Sequence, residues 1–317
     1  MKVERTKPVS VNPKLATEYA VAVAKEFQRK DIAATRYMGG GSFGRAVLIR
    51  YADGTECVVK LLCAAGMLEK ETFDLKLLKE HCTLKIPEVF YVRESGGSLP
   101  VDAYCMEKLE GKPAMTDIKL LLSGKKLRQS FADAVISGLG AIHAATNKKF
   151  GDTLSPVYDS WRMCYGEFAE QVYDKAVKLG KEGAFPKRIT QVMAAAWKAY
   201  DEIFRVEPKE AVLIHGDLNV LNIMTDDSHR PVGFIDPLNS MYADREYDLF
   251  QFRNLTGKRF NLTETYLKKY GASGDCEDKL AFYGLWNEVY CFIRSGVLIP
   301  AIMNPLVRNM KRRLNRQ

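Results

Sequence analysis

The most informative stretch of this sequence is Ile214-His215-Gly216-Asp217-Leu218-Asn219-Val220-Leu221-Asn222-Ile223. An apolar segment leads into it and places Asp217 in a loop, with Asn222 five residues later. A second apolar segment then leads to Asp236. Phosphoryl transfer needs such a set: a carboxylate that orients and deprotonates the attacking hydroxyl, and oxygen ligands for Mg²⁺. Each residue alone could merely cap a loop, but their order favours Asp217 as a catalytic base and Asn222 and Asp236 as metal ligands.

A glycine-rich segment lies far upstream of this stretch. Gly39, Gly41 and Gly44 fit the spacing GxGxxG, with Ser42 inside it, and glycines let backbone N–H groups come close to phosphate oxygens. Taken alone, the segment is also compatible with a flexible turn. A strand-like segment, rather than a helix, follows Gly44, so the pattern favours a hairpin that covers phosphates over a dinucleotide-binding turn.

A lysine follows the glycines at a distance that suits phosphate binding. Lys60 comes directly after the apolar pair Val58-Val59, sixteen residues after Gly44, and a strand there can aim its ammonium at phosphates beneath the glycine segment. Such a lysine needs a carboxylate to hold it in place. Glu71, on the following predicted helix, is the candidate and Glu69 is the alternative, although a helix glutamate on its own most often faces solvent.

The predicted elements divide the chain into a small β-rich part and a larger helical part. Helical periodicity covers 13–30, and Asp53-Gly54 between two apolar segments predicts a hairpin. The other predicted elements of the first part are strands at 34–37, 45–51, 56–62, 89–93 and 103–108 and a helix at 68–80. After Gly111 the predicted elements are helices at 117–122, 126–146, 161–179 and 189–204 and strands at 211–214 and 233–235.

Composition argues against several classes of protein. The chain has 317 residues, of which 47% are hydrophobic and 27% are charged, which is typical of globular rather than disordered proteins. It contains no apolar stretch of the ~20 residues that span a bilayer, and its first residues lack the apolar region of a signal peptide. The seven cysteines are odd in number and form no CxxC pair. We therefore expect reduced thiols, a cytoplasmic location and no membrane partner.

The net charge of +8 favours anionic ligands such as nucleotides or sugar phosphates. Part of the excess lies in the last ten residues, where the basic residues are Arg308, Lys311, Arg312, Arg313 and Arg316. A solvated basic end is the simpler interpretation, and a nucleic-acid or membrane-surface patch is the alternative. The four histidines fall in no metal-ligand spacing, so we expect no dedicated zinc site.

Taken in order, these motifs resemble those of the protein-kinase-like superfamily. The pattern HGDxxxxN at 215–222, followed by Ile235-Asp236-Pro237, is similar to its small-molecule branch, the aminoglycoside phosphotransferases and fructosamine (ketosamine) kinases. Four further segments resemble the fructosamine kinases in particular: Asp244-Arg245-Glu246-Tyr247-Asp248-Leu249, Leu139-Gly140-Ala141-Ile142-His143, Phe150-Gly151 and Trp161. The likeness extends over about residues 33–300.

The resemblance implies an α+β, bilobal fold. Residues 1–106 would form an N-terminal helix and a small, β-rich N-lobe with an antiparallel sheet, which binds the nucleotide. Residues 107–111 would form a hinge, and residues 112–317 would form a larger, mainly helical C-lobe that carries the catalytic loop and the substrate site.

The resemblance also implies roles at the nucleotide. The residues that would cover the phosphates of ATP are Gly39, Gly41, Ser42 and Gly44. Lys60 would hold the α- and β-phosphates while paired with Glu71. Adenine would meet the hinge segment that contains Met106, Glu107 and Leu109, mainly through backbone groups.

For the chemical step, the resemblance implies that Asp217 is the catalytic base. Asn222 and Asp236 would bind Mg²⁺. His215 and Asp248 would brace the catalytic loop without reacting.

Some positions depart from the patterns of these families. Fructosamine kinases usually carry Trp and Gly within HGDLWxGN, where this chain has Asn219 and Leu221. Protein kinases match less well, because Asp248 follows Asp236 by only twelve residues and leaves no room for a long activation loop. Gly216 also replaces the arginine of the protein-kinase HRD motif. We therefore expect no regulation by loop phosphorylation.

The sequence thus favours an enzyme, a phosphotransferase that uses ATP and Mg²⁺ to phosphorylate a hydroxyl of a small polar molecule. The alternatives are a non-catalytic nucleotide-binding module, a basic nucleic-acid-binding protein, and a kinase for another amino alcohol or sugar. The presence of every catalytic residue argues against the first alternative, and the lack of a recognisable nucleic-acid-binding module argues against the second.

The substrate that accepts the phosphoryl group could carry an amine, as a glycated lysine or an aminoglycoside does. The sequence does not separate these from choline-like amino alcohols, a thioribose or hexose derivatives. We expect its pocket in the helical part. The candidate lining residues are Asp152, Asp159, Trp161, Arg162, Glu167, Trp286, Asn287 and Glu288. The two tryptophans could equally pack helices together.

Overall fold

The computed structural model describes residues 8–41, 43–253 and 257–316. The first part of the chain forms one helix, three strands, a second helix and two more strands. These elements are α1 (Pro13–Phe27), β1 (Ile32–Gly39), β2 (Gly44–Tyr51), β3 (Glu56–Leu62), α2 (Leu68–His81), β4 (Val89–Arg93) and β5 (Asp102–Met106).

The rest of the chain is mainly helical. Its helices are α3 (Ile118–Leu122), α4 (Lys125–His143), α5 (Trp161–Lys181), α6 (Lys187–Lys198), α7 (Tyr200–Ile203), α8 (Leu262–Tyr270), α9 (Cys276–Ser295) and α10 (Pro300–Leu314). Its strands are β6 (Lys112–Pro113), β7 (Thr146–Asn147), β8 (Phe150–Asp152), β9 (Ser155–Tyr158), β10 (Ala211–Ile214), β11 (Ile223–Thr225), β12 (Pro231–Phe234) and β13 (Met241–Ala243). Short 3₁₀ helices cover Ala114–Thr116, Arg245–Leu249, Gln251–Arg253 and Gly257–Phe260.

The N-terminal part is built on one antiparallel sheet with the strand order β1-β2-β3-β5-β4. Side chains alternate across a strand, and Val59 and Leu61 are buried beneath α1. Lys60 therefore faces the opposite side of the sheet, toward the C-terminal part. This small antiparallel lobe followed by a helical lobe confirms the predicted α+β, bilobal fold.

Helix α1 covers one face of this sheet and ends at Phe27, three residues before the end of the predicted helix. Its first turn is capped by Asn12, whose Oδ1 accepts the N–H of Leu15 at 2.9 Å. The helix turns small residues toward the sheet, since Ala16, Ala20 and Ala24 are fully buried. Their size lets the helix lie close to the strands.

Two small sheets in the C-lobe carry the most informative stretch of the sequence. Strand β10 lies in a five-stranded sheet of order β7-β10-β13-β8-β9, and β11 lies in a three-stranded sheet of order β12-β11-β6. The loop 215–222 connects β10 to β11 and so bridges the two sheets. In the described parts of the chain, no helix has both the length and the apolar character needed to cross a bilayer.

The elements differ from the predictions in a few places. The helix expected over 189–204 is two helices that break at Ala199. The predicted strand 103–108 ends at Met106. The two- to four-residue strands β7, β8, β9, β11 and β13 were not predicted, because so short a segment shows no periodicity.

The close approach of α1 to the sheet predicts that Ala20→Leu lowers the free energy of unfolding by about 1–3 kcal/mol, because the added atoms must fit a packed interface. Ala22→Leu is the matched control, since Ala22 lies on the exposed side of the same helix, and it should change stability by no more than about 0.5 kcal/mol. Urea unfolding of both variants checks this. Equal effects of the two variants would contradict the packing described above.

Candidate active site

The loop 215–222, predicted to be catalytic, is anchored by a buried carboxylate. Asp248 is fully buried, and its two oxygens accept the backbone N–H groups of His215 and Gly216, both at 2.8 Å. His143 Nε2 lies 3.2 Å from the same carboxylate. Burial alone would raise the pKa of Asp248, but the hydrogen bond and charge of His143 keep it below its usual value.

Gly216 is required by the backbone of this loop. Its φ angle is +82°, and a Cβ atom there would lie 2.6 Å from the carbonyl oxygens of Leu238 and Asn239. Only glycine meets both conditions without strain. The close approach packs the catalytic loop against the segment that follows Asp236.

Asp217 lines the cleft between the lobes and accepts hydrogen bonds from three side-chain amides. Its Oδ1 accepts hydrogen bonds from Gln251 Nε2 at 2.9 Å and from Asn219 Nδ2 at 3.2 Å, and its Oδ2 accepts one from Asn222 Nδ2 at 3.3 Å. Burial, and then the charge of Asp236, raise the pKa of Asp217 to about 7. A carboxylate with a pKa near neutrality is suited to accept a proton at physiological pH.

Asn219 has a second task in the loop. Its Oδ1 accepts the N–H of Leu221 at 2.9 Å, so this side chain both turns the backbone and contacts Asp217. The two positions that depart from the fructosamine-kinase pattern are therefore linked to each other and to the central carboxylate.

The predicted metal ligands, Asn222 and Asp236, lie on adjoining loops. The N–H of Ile235 donates to the carbonyl oxygen of Asn222 at 2.9 Å, which fixes the two loops together. Asp236 has a φ of 57°, and its side chain is 53% exposed to the cleft. Among the described residues no group of three or more His, Cys, Asp or Glu could hold a metal. An amide and a carboxylate oxygen nevertheless fit Mg²⁺, which usually takes one or two carboxylates and completes its shell with phosphates and waters.

Lys60 joins the two lobes through its ammonium. Its Nζ bonds Glu71 on α2 and lies 2.5 Å from Asp236 Oδ1. Glu71 is buried, whereas the alternative Glu69 is exposed. Burial would lower the pKa of Lys60, but the charges of Glu71 and Asp236 raise it well above its usual value. The Lys60 charge in turn lowers the pKa of Asp236, so both groups are charged at neutral pH.

Lys60, Glu71, Asp217 and Asp236 line one cleft of about 700 Å³, whereas Asn222 is buried against Asp217 and is not among the lining residues. Its roof is the β1–β2 hairpin, where Gly39 has a φ of +119° and a Cβ on Gly44 would lie 3.1 Å from Lys60 Cε. Arg45 fixes the hairpin by donating to the carbonyl oxygens of Gly41 and Gly44 at 2.7 and 2.8 Å. Ser42 lies outside the described residues. The predicted site residues that line the cleft are Gly39, Gly41, Gly44, Lys60, Glu71, Met106, Glu107, Leu109, Asp217 and Asp236.

The cleft has an apolar end beside the segment that joins the lobes. Its apolar lining there comes from Val58, Met106, Leu109, Met224 and Ile235. The N–H of Glu107 already donates to the carbonyl oxygen of Glu88 at 2.8 Å. An apolar slot with backbone groups at its edge can take a flat aromatic ring.

The opposite end is formed by α9, and here the sequence interpretation is partly wrong. Asn287 and Glu288 line the cleft. Trp161 and Trp286 lie in the core instead, where their indole N–H groups donate to Tyr283 Oη at 2.6 Å and to the Ala169 carbonyl oxygen at 2.9 Å. A tryptophan in a helix has the same local pattern whether it packs a core or lines a pocket.

The other candidate lining residues also lie away from the cleft. Asp152 lies 3.8 Å from Lys70, and the exposed Asp159 pairs with Lys149. Arg162 and Glu167 contact Asp201 and Tyr158. The cleft residues that sequence reasoning missed include Gln251, Tyr290, Cys291 and Arg294. Asn287, Cys291 and Arg294 recur at helical spacing on α9, which is the signal that could have found that face.

Comparison with known proteins agrees with this architecture. The family model described as the phosphotransferase enzyme family (APH) matches residues 39–283. A search of the curated proteins finds no significant match.

Among solved structures, a protein assigned as a fructosamine-3-kinase from Thermobifida fusca YX-ER1 is 20% identical, with a TM-score of 0.67 over 92% of this chain and 98% of that one. A thermostable mutant of aminoglycoside phosphotransferase APH(4)-Ia, in complex with ADP and hygromycin B, is 16% identical, with a TM-score of 0.67 over 93% and 97% of the two chains. The GDP complex of aminoglycoside 2'-phosphotransferase-IIIa is 13% identical, with a TM-score of 0.65 over 95% and 99%.

At these identities the three structures show a shared fold, and the family model covers most of the chain, including the glycine hairpin and the catalytic loop. The chain belongs to the phosphotransferase enzyme family.

Proposed function

We propose that this protein transfers the γ-phosphoryl group of ATP, with Mg²⁺, to a hydroxyl of a small polar molecule. The observation that carries the proposal is the convergence of Lys60, Glu71, Asp217 and Asp236 on one cleft beneath a glycine hairpin. A phosphate-binding cation, a buried carboxylate and an oxygen donor set are what phosphoryl transfer requires. The ADP and GDP complexes of similar folds support a nucleotide in the same cleft.

We place the nucleotide across the hinge. Residues 1–106 are the proposed N-lobe, 107–111 the hinge and 112–317 the C-lobe. In support, β5 ends at Met106, and β6 at 112–113 already pairs with β11 of the C-lobe. Because the N–H of Glu107 is engaged by Glu88, adenine would meet the carbonyl oxygen of Glu107 and the N–H of Leu109. The hairpin residues 39–44, Ser42 included, would cover the phosphates.

In the chemical step, Asp217 orients the acceptor hydroxyl and takes its proton. Lys60, held by Glu71, neutralises charge on the nucleotide phosphates. Asn222 and Asp236 would hold Mg²⁺, which when bound supplies positive charge to the phosphate oxygens. No covalent enzyme intermediate is needed, and most of the rate enhancement comes from positioning and electrostatics.

For the acceptor we propose a compound of the fructosamine or aminoglycoside kind, bound at the α9 end of the cleft. Glu288 offers a partly buried carboxylate whose pKa is raised by burial, and an acceptor amine would compensate its charge. A kinase for another amino alcohol or sugar is the second candidate, because Asn219 and Leu221 replace the residues usual in fructosamine kinases. The cysteine pattern of the sequence leads us to expect that the enzyme acts in the cytoplasm. We expect no membrane or nucleic-acid partner.

The direct test is Mg²⁺-dependent ADP release from ATP, with GTP in parallel, against a panel of ketosamines, aminoglycosides, amino alcohols and sugars. One acceptor class should stimulate release, and Asp217→Asn should reduce kcat by about 10²–10⁴-fold, because general-base catalysis is worth about that much. Asp227→Asn, in the exposed β11–β12 turn, is the matched control and should keep wild-type rates. A wild-type protein that neither binds nor turns over Mg-nucleotide would refute the proposal, as would an unchanged Asp217→Asn variant.

The packing around Gly216 gives a second prediction. Gly216→Ala should lower kcat by about 10²-fold, because relieving the overlap with the 238–239 carbonyls shifts the loop that positions Asp217, and displacements of about 1 Å can cost this much. Gly274→Ala, at a glycine with nothing near its Cβ position, is the control and should be active. Steady-state kinetics on both variants decides, and wild-type activity in Gly216→Ala would show that the loop tolerates the side chain.

A further inference from the structure

A polar cluster links the helix that carries Glu71 to the C-lobe. Lys70 is next to Glu71 on α2, and its ammonium has three N–H donors. They reach Asp74 one turn along the same helix, Thr153 Oγ1 at 2.8 Å and the carbonyl oxygen of Ser240 at 2.6 Å. Thr153 and Ser240 both belong to the C-lobe. One lysine thus uses all three of its N–H donors, and two of its acceptors belong to the other lobe.

The cluster is buried and mutually satisfied. Asp74, Thr153 and Ser240 are 1%, 6% and 1% exposed. The Thr153 hydroxyl donates to Asp74 Oδ1, while Lys70 donates to Asp74 Oδ2. A buried carboxylate is costly without such partners, so α2 cannot move away from the C-lobe without leaving Asp74 short of a donor. Thr153 lies at the tip of the β8–β9 hairpin, which explains why neighbouring Asp152 lies at the lobe interface.

The cluster also reaches the catalytic loop. Ser240 lies in the short segment between Asp236 and Asp248, and its hydroxyl donates to the carbonyl oxygen of His215 at 2.8 Å. His215 is the residue whose N–H bonds Asp248. The position of α2, and with it Glu71, is therefore tied to the backbone just before Asp217.

We propose that Lys70 is a positioning residue, which with Asp74 and Thr153 locks α2 to the C-lobe so that Glu71 holds Lys60 in place before any nucleotide binds. One of these contacts is with Ser240, which lies in the short segment after Asp236. A longer, mobile loop at this point would not hold such an acceptor in a fixed position. This inference rests on the proposed function only for its effect on nucleotide affinity. Its effect on α2 is independent of catalysis.

The test is hydrogen–deuterium exchange of the full chain without nucleotide, together with the affinity for a non-hydrolysable ATP analogue and the KM for ATP. Thr153→Val should speed exchange of the α2 amides about tenfold, since one lost buried hydrogen bond is worth about that factor, and Lys70→Met, which removes three, should speed it by more than tenfold. Exchange in α5 should stay unchanged.

Both variants should weaken nucleotide affinity and raise the KM for ATP by about tenfold, with a smaller effect on kcat. Lys76→Met, at an exposed lysine of the same helix, is the control and should behave as wild type.

Wild-type exchange in α2 of both variants would overturn the inference. Equal acceleration in α2 and α5 would also overturn it, because that pattern means a general loss of stability. Failure of the proposed function is distinguishable, since a wild-type protein that binds no nucleotide would still show the predicted exchange in the two variants.

Discussion

The arrangement of the cleft depends on the ammonium of Lys60, which lies between two carboxylates from different lobes. Glu71 fixes it from α2 and Asp236 from the C-lobe. A partly desolvated lysine requires such partners, so β3, α2 and the loop after β12 must meet at one point. The glycine hairpin then lies above this point, and the loop that carries Asp217 lies below it. This charge arrangement connects the two lobes alongside an apolar core that contains residues of both.

Much of this arrangement could be predicted from the sequence because its signals are local. The glycine spacing, the lysine strand and the HGDxxxxN stretch each occupy a few residues, and their order along the chain indicated the bilobal fold. The contacts that steady them are not local. Lys70 and Ser240 are 170 residues apart, and Gln251 meets Asp217 only because Arg245–Leu249 folds back beneath the catalytic loop. No periodicity or composition reveals such pairs.

The α9 end of the cleft was the least predictable region for a related reason. The sequence left open whether the two tryptophans line a pocket or pack helices, and both lie in the core, whereas Asn287, Cys291 and Arg294 line the cleft from one face of α9. Family membership shows the fold and the phosphotransferase class of the chain, but it does not identify the acceptor. The hydrogen bonds of Asn219 to Leu221 and Asp217 place this chain's departures from the fructosamine-kinase pattern beside the proposed catalytic base, where differences in specificity would arise.

The central claim is that the nucleotide phosphates and Mg²⁺ bind in the cleft at the point where Lys60 and Asp236 meet. Isothermal titration calorimetry with a non-hydrolysable ATP analogue tests it most directly, with and without Mg²⁺, on wild type and on Asp236→Asn. We expect binding to the wild type to tighten at least tenfold with Mg²⁺, and Asp236→Asn to lose that dependence because a metal-ligand carboxylate is gone. Binding that ignores both Mg²⁺ and the substitution, or no binding at all, would contradict the account.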